Sequence, residues 1–212
     1  MENHTARMAA LLGELRREMN GAVVESMQRG EGGYGLNYGV CIPTIRAIAA
    51  RVGTDHPFAR FLYRQDVREL RMAALTIADP QAVTTAELDA WFCGRMPEEL
   101  MEELALRLLS RCRMPVLEAL RDGWLRKGCA AQRYTALMAL ARCRDFDAAP
   151  VAGILPEILA AYPDDLRLAR GAAAFLQAAS PKIGSETLNA MLERLPESSG
   201  ARFLREEVAW LC

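Results

Sequence analysis

Four carboxylates, Glu98, Glu99, Glu102 and Glu103, fall within two helical turns of Pro97, and Arg133 stands 31 residues beyond Glu102, beside Tyr134. A carboxylate in such a place can serve as a site acid, and an arginine grips phosphate oxygens with its planar fork. Each also has a plainer reading. Acidic residues in a first turn complement the helix dipole, and Glu99, Glu103, Arg107 and Ser110 trace one solvated stripe. Arg133 would then pair with an acid of the preceding repeat such as Glu102, and four carboxylates would repel a phosphate backbone. Arg68 with Glu69 and Arg71 fits internal ion pairs better than a charged groove. Arg107, Arg111, Arg113, Arg126, Lys127, Arg142 and Arg144 lie near the ends of apolar helical runs, where the dipole favours cations.

Other chemistries lack their residues. His4 and His56 are the only histidines, and the six cysteines never form Cys-x-x-Cys, which speaks against a zinc site or any other metal centre. No phosphate-binding Walker loop and no nucleophile elbow is present, and no cofactor is expected. The stretch from Gly30 to Gly35 matches Gly-x-Gly-x-x-Gly, but it follows a helical pattern without a βαβ unit, so it reads as a connector.

The elements that must position these residues are helices throughout. Ile45, Ile48, Ala49 and Val52 repeat at helical spacing after Pro43, and Leu70, Ala73, Ala74 and Ile77 do so after Asp66. Asp66 with Glu69, and Thr84 with Glu87, have the spacing of capping boxes. Trp91, Trp124 and Trp210 fall on apolar faces and read as core. Every second helix opens near Asp66, Pro97, Ala130 and Asp164, at intervals of 31, 33 and 34 residues. Such a period marks stacked helix pairs that share a continuous core. These four helices are expected to stack side by side as one layer, with residues 1–30 as an amino-terminal cap on a single domain spanning 1–212.

Tyr38-Gly39-Val40, Pro43, Arg46, Ile48-Ala49, then Arg68-Glu69 and Ala73-Ala74-Leu75 resemble the DNA alkylation repair family of HEAT-like alkylpurine DNA glycosylases. The resemblance is sharpest from about Gly35 to Trp91. It implies an all-α, right-handed superhelical solenoid of HEAT-like antiparallel helix pairs. It also implies a site of a tryptophan, a carboxylate four residues later, an arginine in the next repeat and a second tryptophan. Carried over position by position, these become Glu98, Glu102, Arg133 and Ala174. Both aromatic walls are thus replaced while the two charge types survive, with Glu102 in the catalytic position and Glu98 and Arg133 as nucleic-acid contacts by position. Whether the chain is an enzyme at all is left open by this pattern. A tyrosine such as Tyr34 or Tyr38 would have to supply the missing wall.

Composition bounds the function. Hydrophobic residues make up 51% and charged residues 25%, with a net charge of −1. A dedicated DNA binder carries a basic excess, so any basic surface here must be local. Twenty-four of the 26 basic residues are arginine. No apolar run is long enough to span a bilayer, and no signal-peptide pattern opens the sequence, which points to reduced thiols in the cytoplasm. The expected function is weak, sequence-independent binding of double-stranded or structured DNA through its phosphate backbone, with glycosylase activity weak or lost. The alternative is a non-enzymatic HEAT-like scaffold for a protein partner.

Overall fold

The computed structural model describes residues 3–29, 34–93 and 96–211. Gly30 to Gly33 of the Gly-x-Gly-x-x-Gly match and Cys212 lie outside the described residues. Every element among the described residues is helical, apart from one isolated bridge between Leu36 and Val67. The chain divides into two compact units, residues 1–108 and 109–212.

The first unit holds α1 (His4–Arg17), α2 (Gly21–Arg29), α3 (Ile42–Ala50), α4 (His56–Tyr63) and α5 (Arg68–Ile77). A 3-10 segment (Thr85–Trp91) follows, then α6 (Glu98–Glu103), which widens into a π turn (Leu104–Leu108). At its centre lies α5, packed against α3, α4, α6 and the π turn. Leu70, Met72, Ala73, Ala74, Leu75 and Ile77 of α5 are all buried, as are its charged pair Arg68 and Glu69. The alanines leave room for neighbouring helices to approach. Leu11 and Leu15 of α1 complete this core from the amino-terminal side.

Neither expected capping box forms. The residue before α5 is Val67, which has no side-chain cap, and Glu69 turns into the core. Thr84 likewise makes no cap; Glu87 instead takes Arg60 at 3.0 Å and the His56 ring at 2.8 Å. A charged or buried donor competes for a carboxylate more strongly than a solvated helix amide does.

The second unit opens on a 3-10 turn (Leu109–Arg111), followed by α7 (Met114–Ala119), a π segment (Leu120–Leu125) and α8 (Ala130–Leu140). It continues with α9 (Ala149–Ala161), α10 (Leu166–Glu193), α11 (Ser199–Val208) and a closing 3-10 turn (Ala209–Leu211). Gly184, at φ 73°, bends α10 where an L side chain would be strained. At Gly171 an added Cβ would lie 2.9 Å from the Tyr134 ring, so glycine is what lets α8 and α10 pack closely.

The expected helix starts are close to those observed, at Arg68, Glu98, Ala130 and Leu166. Within the first unit α5 lies against α6; within the second, α8 lies against both the Leu109–Arg111 turn and α10. Trp91 and Trp124 are buried, as expected. Trp210 is not: it is 70% exposed, on the Ala209–Leu211 turn.

Candidate nucleic-acid interface

The residues that carry the family resemblance build a buried clasp. Gly39 sits at φ 70°, and a Cβ there would lie 2.3 Å from the Asn20 carbonyl oxygen. The turn it permits aims two amides at one carboxylate: Tyr38 N donates to Glu69 Oε2 at 3.1 Å and Val40 N to Glu69 Oε1 at 3.3 Å. Arg68 Nη1 donates to the Val40 carbonyl at 2.7 Å and to Glu69 Oε1 at 3.0 Å. Its Nε and Nη2 fork onto Glu99 at 2.7 and 3.0 Å. Burial opposes the charge on Arg68, but Glu99 and Glu69 outweigh it and hold the guanidinium firmly protonated. The Tyr34 hydroxyl donates to Glu99 Oε1 at 2.9 Å; burial first, then the Glu99 charge, push its ionisation far above the ordinary tyrosine range.

This clasp changes the reading of the acidic run. Glu99 belongs to Arg68. Glu103 is buried and accepts the Arg46 fork, through Nε at 3.1 Å and through Nη2, with Arg107 at 3.8 Å. The expected solvated stripe through Glu99 and Glu103 is therefore not formed. Glu99 and Glu103 thus meet arginines of the same unit, while Glu98 is half-buried and Glu102 is exposed. Tyr38 is core and Tyr34 is held on Glu99, so neither stands as an open aromatic wall.

Arg133, in the second unit, is at the start of α8. Its Nε donates to the Gly128 carbonyl at 2.9 Å and its Nη2 to the Arg126 carbonyl at 3.1 Å. Its guanidinium carbon lies 5.1 Å from the centre of the Tyr162 ring. These contacts go to neutral groups, so the fork is fixed while its charge stays uncompensated. Its Nη1 makes no hydrogen bond among the described residues. The geometry suits capture of an anion by a preset guanidinium. Sequence reasoning missed Tyr162; the signal was its place at the end of α9, 29 residues after Arg133, about one repeat on. Ala174, at the second tryptophan position, is half-buried on α10 and offers no ring.

Other cations of this unit are held the same way. Arg142 Nη1 donates to the Met138 carbonyl at 2.5 Å, and Lys182 Nζ donates to the carbonyls of Cys143, at 3.3 Å, and of Arg144. Among the described residues no group of three or more His, Cys, Asp or Glu is placed to hold a metal, and no helix is long and apolar enough to cross a membrane.

No protein-family model matches the sequence, and no curated protein matches it. The structure is similar to a solved protein from a family described as related to the HEAT-like repeat DNA glycosylases with affinity for branched DNA structures. The TM-score is 0.71 at 14% identity, over 95% of this chain and 94% of that one. At that identity the likeness is one of fold, and this chain has the all-α HEAT-like repeat fold of that protein.

Proposed function

We propose that the chain is a DNA-binding relative of the HEAT-like alkylation repair proteins, holding duplex or branched DNA by its phosphate backbone without reading sequence. The observation that carries this is Arg133: a guanidinium fixed by two carbonyls and an aromatic ring, with its charge and one arm left for an anion. Arginine against phosphate is strong, salt-sensitive and blind to sequence. Glu102 keeps the position of a catalytic carboxylate. Glu98 and Ala174 give it no aromatic surface against which a cationic sugar could form, so base excision is weak or absent.

Fluorescence anisotropy with labelled linear and branched DNA at low ionic strength tests the reading. Binding should be independent of sequence and fall steeply with salt, and Arg133→Ala should lower the log–log salt slope by about 1. Release of methylated purines above the spontaneous rate, abolished by Glu102→Gln, would overturn the loss of catalysis. A scaffold for a basic protein partner is the second reading, favoured by the acidic balance of the first unit, which carries 12 basic and 15 acidic residues. Complete absence of DNA affinity at low salt would leave that reading in place.

A further inference from the structure

The second unit contains a short internal repeat. Leu109-Ser110-Arg111-Cys112-Arg113 recurs 31 residues later as Leu140-Ala141-Arg142-Cys143-Arg144, in both cases where a helical segment ends. In both copies the cysteine is turned inward and both arginines are exposed. Alternation of this kind is what a terminating turn produces when its middle residue is a small hydrophobe seated on the core.

The two copies lie on one edge. Cys143 Sγ sits 3.3 Å from the carbonyl oxygens of both Ser110 and Ala139, which fastens the end of α8 to the Leu109–Arg111 turn. Burial pushes the Cys143 thiol up to about 11, so it stays a protonated donor in that contact. On the other side Lys182, from α10, reaches the Cys143 and Arg144 carbonyls. Arg111 and Arg113, Arg142 and Arg144, and Lys182 therefore stand on three segments fastened side by side at this edge. The acids in the same loop are Asp145 and Asp147, and Asp147 Oδ1 already accepts the Ala149 amide at 3.1 Å.

Helix C-termini attract cations for their own stability, but that need is met at α8 by Arg142 and Lys182. Arg144 is exposed and has no part in it. Packed helices lie about 8–10 Å apart, which is two to three nucleotide steps of about 3.4 Å along one strand. The edge, with these segments packed side by side, thus has the spacing and charge to meet a phosphate backbone. It also stands apart from Arg133: the two are at opposite ends of α8, roughly 15 Å apart at about 1.5 Å per residue.

We infer that this Arg-Cys-Arg ridge, with Lys182, is a second phosphate-backbone site that engages a DNA segment other than the one at Arg133, so that branched DNA is held more tightly than linear duplex. This rests on the DNA-binding reading above. The test is a triple variant, Arg142→Gln/Arg144→Gln/Lys182→Gln, in which positions 142 and 182 keep a donor for the carbonyls they cap. Affinity for a four-way junction should fall roughly tenfold or more at low salt, with a log–log slope shallower by about 2 to 3. Affinity for a linear duplex of equal length should change less than twofold, whereas Arg133→Ala should weaken both. If the triple variant loses helical signal, Arg144→Glu alone replaces it, since that side chain makes no capping contact; the same selective loss for the junction is expected. Unchanged junction binding, or equal loss for junction and duplex, overturns the ridge while leaving the DNA reading intact. A wild-type protein that binds neither DNA removes both.

Discussion

The two units differ in what holds their cations. In the first, arginines meet carboxylates: Arg68 with Glu69 and Glu99, Arg46 with Glu103, Arg60 with Glu87, Arg7 with Asp55 and Arg51 with Glu14. In the second, Arg133, Arg142 and Lys182 meet main-chain carbonyls, while Arg121 and Arg126 meet Asp122, Arg167 meets Asp165 and Arg205 meets Glu197. A carbonyl and a carboxylate both satisfy a donor, but only the carboxylate cancels charge. Residues 1–108 carry 12 basic and 15 acidic residues, a net of −3; residues 109–212 carry 14 and 12, a net of +2. A near-neutral chain thus holds a second unit in which Arg133, Arg142 and Lys182 are fixed by carbonyls and keep their charge for a polyanion.

The largest expected effect lies in the first unit. Glu69→Ala removes a fully buried carboxylate, leaves the Tyr38 and Val40 amides without an acceptor and deprives Arg68 of one of its two acids. Breaking a buried pair from one side costs about 3–5 kcal/mol, and urea unfolding should register a loss of that order. A loss below about 1 kcal/mol would mean that the clasp is not what holds the loop to α5. Arg46→Ala comes next. Glu103 would keep only the more distant Arg107, and stability should fall by about 1–3 kcal/mol, the usual penalty for a buried group left poorly paired. Arg144→Ala, the matched change in the second unit, should leave the unfolding midpoint almost unchanged.

Acid gives a smaller effect with a definite sign. Burial works to raise the Asp55 carboxyl, but the Phe58 amide and then Arg7 outweigh it and hold it below the usual carboxylate range. Its contribution is therefore complete above the unfolded value of about 3.9 and is lost as pH falls through its lower folded value. Comparing urea midpoints at pH 6 and pH 3 should show a loss that shrinks in Arg7→Gln. An equal loss in both proteins would assign the acid sensitivity to other groups.

The fold was largely legible in the sequence, because the apolar spacing and the near-constant interval of helix starts both report directly on packed helix pairs. The site was less so. Asp66 and Glu69 have capping-box spacing, and nothing local shows that Glu69 will prefer the Tyr38 and Val40 amides about 30 residues away. Glu99 and Glu103 sit four apart on what looks like a wet stripe, yet each meets an arginine from another element. Long-range charge pairing leaves no periodic trace, and neither does the choice of Arg133 between a carboxylate and two carbonyls. Trp210 misled for a different reason: helical spacing marks an apolar face but does not say whether another element packs on it.

Salt-dependent DNA binding by charge-matched variants tests the division between the units most directly. Arg133→Ala removes a cation of the second unit, and Arg64→Ala removes an exposed one of the first. With folding verified by circular dichroism, we expect Arg133→Ala to weaken binding to every DNA tested and to lower the log–log salt slope by about 1, while Arg64→Ala leaves affinity and slope as in wild type. Equal effects from the two substitutions, or a larger one from Arg64→Ala, would contradict the account.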